Sequence, residues 1–227
     1  MKKSAQDDGN TGGSAPCFAH ELGIDADGAF VQIDPRQRLE VLRWRKAERE
    51  RLIAKRLDFG AAERRAWSAE IVSRLAPLVM PAAGRTVGFC WPFRGEPDLR
   101  VLMEPVLENG GICALPVVIE RGRPLVFRAW KPGDPLQKGV WNIPVPESGR
   151  DIVPDVVLPP VVGFDGSAYR LGYGGGFFDR TLAALSPRPR AIGVGYECAR
   201  IRTIFPQPHD IAMDLIVTEK GVFSPAL

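Results

Sequence analysis

The sequence predicts an α/β fold, a single three-layer domain with a mostly parallel central sheet and helices on both faces. Three observations carry that prediction. From residue 85 onward, short apolar runs alternate with stretches of helical period, the pattern of strands joined by crossover helices. The runs are continuously apolar rather than alternating in and out, as strands covered on both faces require. The chain has 227 residues, 45% hydrophobic and 25% charged, which is enough to bury a sizeable core without staples.

Residues 1–37 read as an irregular extension, because they are rich in Gly, Asp, Ser and Asn and keep neither a 2.0 nor a 3.6 period. The folded domain is assigned to 38–227. Pro35 after Asp34 suits a first helical position, and 36–57 reads as a strongly charged helix. On its wheel Leu42, Leu52 and Ile53 share one side, while Arg45, Arg49 and Arg56 form a narrow adjoining stripe. Like charges one turn apart repel by roughly 0.2–0.5 kcal/mol. The stripe therefore either meets an anion or is a solvated face balanced by Glu48 and Glu50.

A second helix is expected over 61–75, with Trp67, Ile71 and Leu75 as its core stripe and Pro77 beyond its end. Strands are expected at 86–91, 112–119, 124–130, within 153–162, at 191–196 and at 215–218. Helices are expected at 98–108 and 177–185, and 131–149 is loop-rich. In such a sheet a ligand sits at the carboxyl ends of the strands, which directs attention to the loops after Trp91, Val162 and Phe205.

Composition excludes several classes. Thirty Lys+Arg against 27 Asp+Glu leave +3, too small an excess to imply a polyanion, so no nucleic-acid partner is expected. With His20 and His209 as the two histidines, a His-rich zinc site cannot be built. Cys17, Cys90, Cys113 and Cys198 show no C-x-x-C spacing and read as reduced, buried thiols. No stretch reaches the roughly 18 apolar residues of a membrane span. Lys2 and Lys3 are followed by a polar segment rather than an apolar one, so no secretory signal is expected. The expected protein is a cytoplasmic monomer that binds no membrane.

The most informative segment is Arg170-Leu171-Gly172-Tyr173-Gly174-Gly175-Gly176-Phe177-Phe178-Asp179-Arg180. Four glycines in five positions, before a helix, permit positive φ and let backbone N–H groups approach a phosphate, with Arg170 as a two-pronged charged contact. Neither G-x-x-x-x-G-K-[ST] nor G-x-G-x-x-G is present, and a ligand-free strand-to-helix turn is the competing reading. Asp179 beside such a nest is a natural Mg2+ ligand, although Asp also caps helix starts. Trp91-Pro92-Phe93-Arg94-Gly95-Glu96-Pro97 offers aromatic surface and one acid for a heteroaromatic ligand, or is an ordinary turn. His209-Asp210-Ile211-Ala212-Met213-Asp214 places Asp214 at the start of an apolar strand, where it needs a metal, an arginine or several amides.

In that order, the basic helix, the aromatic loop with Glu96, the glycine-rich segment and H-D-x-x-x-D resemble the 5-formyltetrahydrofolate cyclo-ligase family over about residues 38–220. Trp141-Asn142-Ile143-Pro144-Val145-Pro146 is similar to the family's W-x-I-P-x-P turn. The resemblance implies conversion of 5-formyltetrahydrofolate to 5,10-methenyltetrahydrofolate with ATP as co-substrate and Mg2+ as cofactor. It implies that the formyl oxygen is phosphorylated and that nitrogen 10 then closes the ring, a route that needs no protein nucleophile.

Residue by residue, it implies that ATP is bound by Arg45 or Lys46, by Arg49, and by Arg170, Leu171, Gly172, Tyr173, Gly174, Gly175, Gly176, Phe177 and Phe178. Folate would meet Arg49, Trp91, Glu96, Trp141 and the stretch from Tyr173 through Gly174, Gly175 and Gly176 to Phe177. Arg170 and Asp179 would be catalytic, and Asp179 and Asp214 would hold Mg2+. Phe177-Phe178 departs from the family's frequent Tyr-Tyr pair and lacks both hydroxyls. Two other readings are a non-catalytic relative binding RNA or another polyanion through the basic helix, and an ATP-dependent enzyme acting on a different amide.

Overall fold

A computed structural model describes residues 22–24, 30–32 and 35–225. The chain divides into two compact units, Met1–Glu40 and Val41–Leu227. In the first, β1 (Leu22–Ile24) pairs antiparallel with β2 (Phe30–Gln32), so the stretch expected to be irregular contains a short hairpin. The rest of 1–34 lies outside the described residues. Helix α1 (Pro35–Leu57) begins at the expected proline and crosses the boundary between the units.

The second unit is built on seven strands: β3 (Thr86–Gly88), β4 (Ile112–Val117), β5 (Val126–Ala129), β8 (Val156–Val157), β11 (Arg190–Val194), β12 (Leu215–Thr218) and β13 (Gly221–Phe223). Their spatial order is β13-β12-β11-β8-β3-β4-β5. The five inner strands run parallel, and β5 and β13 close the edges antiparallel. Successive side chains on one strand enter different cores, as a period of two dictates. Cys113 and Leu115, Val156, Ile192 and Val217 join one core, whereas Ala114, Val157, Ala191 and Ile216 join the other.

The first core is completed by α2 (Ala61–Val79) and by α3 (Met103–Glu108), which follows a 3-10 turn at Arg100–Leu102. The second receives Leu182 of α4 (Phe177–Ala184). Helices therefore cover both faces, in agreement with the predicted class.

Helix α2 continues through Pro77 instead of stopping before it. The missing N–H falls in the final turn, Met80 N–H still closes on Ala76 O at 3.0 Å, and Val79 is fully buried. The segment expected to hold a strand at 153–162 yields only the two residues of β8, because Pro159 and Pro160 cannot donate to a ladder. Two hairpins lie outside the main sheet: β6 (Leu136–Lys138) with β7 (Pro144–Pro146), and β9 (Gly163–Phe164) with β10 (Arg170–Leu171). Among the described residues, no helix is long and apolar enough to cross a membrane.

Candidate active site

The β9–β10 hairpin delivers the glycine-rich turn to the start of α4. Gly174 has φ +88° and Gly176 φ +61°, left-handed backbone that side chains disfavour. A Cβ on Gly174 would lie 3.5 Å from the Arg49 guanidinium carbon, so the turn runs close beside α1. The first N–H groups of α4 have no acceptor within the helix and, with its dipole, favour an anion.

A cavity of about 250 Å3 lies beside this turn, bounded also by residues that follow β3 and β8 and by Pro116 and Val118 at the end of β4. It is thus at the carboxyl ends of parallel strands, where α/β sheets bind ligands. Two arginine–carboxylate pairs line it. Arg45 donates from Nη1 to Asp210 Oδ2 at 2.6 Å and from Nη2 to Oδ1 at 3.0 Å, with both side chains more than nine-tenths buried. Arg170 donates to both oxygens of Asp179, at 3.0 and 3.4 Å, and Ile211 N–H adds a bond to Asp179 at 3.2 Å. Arg45 Nε is buried with no acceptor among the described residues, a spare donor in the wall of the cavity.

Burial raises the Asp210 carboxyl, but the Arg45 hydrogen bonds, the Gln207 N–H and the charges of Arg45 and His209 outweigh it, leaving the pKa below the usual aspartate value. Arg49 donates from Nε to Gly172 O at 2.8 Å. Burial and then the Arg45 charge lower its pKa, with Asp210 opposing. The stripe of Arg45, Arg49 and Arg56 is therefore held within the protein and is not the solvated face of the competing reading.

The aromatic part of the cavity comes from the loop after β3 and from the β6–β7 hairpin. Phe93 and Trp141 lie nearly parallel, with centroids 6.2 Å apart, and Tyr173 approaches both at 5.5 and 6.0 Å. Glu96 is buried among them. Burial pushes its pKa up, and Arg56, the Tyr173 hydroxyl and the Phe93 N–H oppose that rise. A carboxylate so placed is able to accept from N–H donors of a planar ligand.

Of the residues singled out in the sequence, Arg45, Arg49, Trp91, Glu96, Trp141, Arg170, Gly172, Tyr173, Gly174, Gly175, Gly176, Phe177, Phe178 and Asp179 line this one cavity. Three do not. Leu171 is fully buried core beneath the turn, and Lys46 is exposed on α1, so Arg45 rather than Lys46 supplies the helix's first charge to the site.

Asp214 is the main correction. It sits at the amino ends of β11 and β12, the opposite end of the sheet from the cavity, where it accepts from Ala191 N–H at 2.6 Å and pairs with Arg188. Its carboxylate stitches two strands and is not brought to Asp179. The carboxylate that does reach the cavity from that segment is Asp210, four residues earlier, with Gln207 and His209 beside it. Phe93, Cys90 and Arg56 also belong to the site or its wall and were not singled out individually. Of these, Arg56 had left a signal in the charged stripe and Phe93 in the aromatic loop, whereas Cys90 had read only as a buried thiol.

Fold and site together define an α/β protein with a pocket at the carboxyl ends of its strands that combines a glycine-rich turn, two arginine–carboxylate pairs and an acid among aromatic rings. A sequence model of the 5-formyltetrahydrofolate cyclo-ligase family matches residues 41–219, and the chain belongs to that family. It is 32% identical over 146 residues to a 5-formyltetrahydrofolate cyclo-ligase of Mycolicibacterium smegmatis, covering 61% of this chain and 75% of that one. It is 32% identical over 155 residues to that of Escherichia coli K12, covering 65% and 83%. The solved structure of Aquifex aeolicus 5,10-methenyltetrahydrofolate synthetase superposes with a TM-score of 0.69 at 29% identity, over 79% of this chain and 92% of that one. The synthetase of Mycoplasma pneumoniae, at 23% identity and a TM-score of 0.65, shares the fold.

Proposed function

We propose that this chain converts 5-formyltetrahydrofolate to 5,10-methenyltetrahydrofolate, with ATP as co-substrate and release of ADP and phosphate. The observation that supports this reading is the meeting, in one cavity, of two arginine–carboxylate pairs and a glycine turn with a buried acid among aromatic rings. Phosphates require the first set; a pterin with polarised N–H groups suits the second.

The formyl carbon of the substrate is an amide carbon and a poor electrophile. In the proposed sequence the formyl oxygen attacks the γ-phosphorus and ADP leaves. Nitrogen 10 then adds to the activated carbon, gives up its proton, and phosphate departs as the methenyl cation forms. Arg45, Arg49, Arg170 and the first N–H groups of α4 neutralise phosphoryl charge, while Glu96 and the rings hold the pterin, so catalysis rests on positioning and electrostatics. No side chain is needed as nucleophile. Cys90 lies in the cavity, but burial and the Glu96 charge push its thiol up, which keeps it protonated.

Among the described residues no group of three or more His, Cys, Asp or Glu side chains forms a metal cage. Mg2+ keeps several waters and takes one or two carboxylates together with phosphates, and Asp179 and Asp210 are the two aspartates lining the cavity that would hold it. Bound there, it would add positive charge against the phosphates.

The test is growth of the methenyl chromophore's near-ultraviolet absorbance on mixing the protein with 5-formyltetrahydrofolate, ATP and Mg2+. Absence of that signal from folded protein would sink the proposal, and ADP release with simpler formamides alone would favour a different amide substrate.

A further inference from the structure

Arg56 is the third arginine of the α1 stripe, and nothing in the proposed reaction uses it. It is 4% exposed, too deep for a solubilising charge. Its Nε donates to Arg94 O at 2.9 Å and its Nη2 to Tyr173 Oη at 2.6 Å. Tyr173 Oη lies 2.5 Å from Glu96 Oε1, and Arg56 Nη2 lies 4.0 Å from that same oxygen. Glu96 Oε2 accepts from Phe93 N–H at 3.0 Å.

The chemistry of the groups gives this chain of bonds one direction. A guanidinium only donates, so the phenol oxygen must accept from Arg56, and its single proton is left for another acceptor. Phe93 O, at 3.5 Å, is too distant to compete with Glu96. Arg56 therefore fixes the Tyr173 hydroxyl, and the hydroxyl fixes Glu96 Oε1. Each carboxylate oxygen then has one internal donor and keeps acceptor capacity for a ligand.

Resting on the folate reading above, we propose that Arg56 is a positioning residue that acts through Tyr173 to favour the charged form of Glu96 and to aim it as acceptor for the substrate's N–H groups. The groups facing Glu96 are Arg56 from α1, Tyr173 from the glycine turn, the Phe93 N–H of its own loop and Cys90 after β3. Tyr173 and Cys90 are both pushed up, by burial first and then by the Glu96 charge, and stay neutral. Burial raises the Glu96 carboxyl, and the Arg56 charge is the largest influence opposing that rise. A cation at this range lowers a carboxyl pKa by about 1–3 units.

The experiment compares the full chain with Arg56→Met, Arg56→Lys and Tyr173→Phe. Glu96 titration is followed by 13C NMR of labelled glutamate, assigned with Glu96→Gln, and 5-formyltetrahydrofolate affinity is measured by calorimetry across pH. Arg56→Met should raise the Glu96 midpoint by about 1–3 units. It should also shift the acid limb of kcat/KM for folate the same way, with little change in the KM for ATP. Arg56→Lys should recover part of the shift, since it keeps the charge and loses the fork. Tyr173→Phe, which removes one oxygen, should raise the midpoint by less and weaken folate binding. Unchanged Glu96 midpoints in folded Arg56→Met and Tyr173→Phe would overturn the proposal; if Arg56→Met does not fold, Tyr173→Phe decides alone. Failure of the wild-type chain to bind folate would instead overturn the folate reading, and the NMR midpoints would still judge the relay.

Discussion

Replacing Asp210 with Asn removes one charge from a buried, two-pronged ion pair, and the geometry sets the size of the effect. The Arg45 and Asp210 side chains are 7% and 6% exposed, and their two bonds measure 2.6 and 3.0 Å. Deleting one partner of such a pair costs about 3–5 kcal/mol, because the remaining charge stays buried and uncompensated. Asn keeps the volume and one oxygen able to accept from Arg45 or Gln207, so the lower end, about 3 kcal/mol, is expected. For a chain of this size that is roughly 6–12 °C in thermal midpoint.

The pH dependence has a definite sign. Asp210 has a folded pKa below its ordinary value of 3.8, so its contribution is fully present above that value and is lost as pH falls through the folded one. The gap between wild type and Asp210→Asn should be constant near neutrality and close below pH 3.8. Urea unfolding of Asp210→Asn, Arg45→Met and the double variant measures the pair directly. The double variant should be less destabilised than the sum of the singles by about 1.5 kcal/mol or more. A single variant within about 0.5 kcal/mol of wild type, or strict additivity, would refute the reasoning. On the proposed function, Asp210→Asn should also lose most of the gain that Mg2+ gives to nucleotide binding.

Asp179→Asn should lower turnover at least about a hundredfold and also reduce stability, since Arg170 is left without its anion; steady-state rates and melting curves read the two effects. Gly174→Ala places a side chain at φ +88°, strain of about 1–3 kcal/mol, beside Arg49, and should raise the KM for ATP more than it changes kcat. Trp141 is 49% exposed, so Trp141→Ala should change stability by less than about 0.5 kcal/mol while raising the folate KM about three- to tenfold; an equal rise in the ATP KM would place the ring elsewhere in function. Burial pushes the Cys113 thiol up to about 12 and raises Cys90 as well, so peptide mapping after iodoacetamide treatment of native protein at pH 8 should find both unlabelled.

What the sequence made legible were features whose cause is local. The basic helix, the Trp67-Ile71-Leu75 stripe and the continuous apolar strands announce themselves by period, and the glycine turn by composition. What escaped depended on partners far along the chain. Asp214 read as a site residue because the Arg188 and Ala191 N–H that engage it lie more than 20 residues earlier, across a parallel strand pairing. Asp210 was passed over because its partner is 165 residues away on α1. Arg56 shares its helical stripe with Arg45 and Arg49, but the phenol and carboxylate that give it a role come from separate loops. Edge strand β13 is three residues long, and its pairing with β12 around Glu219-Lys220 left no periodic trace. Pro77 was read by its usual effect, and burial of Val79 overrode it.

The span between Arg45 and Asp210 has a consequence for how the protein comes into being. During synthesis at about 5–20 residues per second, α1 would wait roughly 8–33 s for the carboxylate that receives its guanidinium. Through that interval the nascent chain carries a row of arginines without the carboxylate that one of them pairs with. The cavity's wall is complete only once the segment through Asp210 has been made, so a ribosome that stalls before it leaves a fragment without that wall.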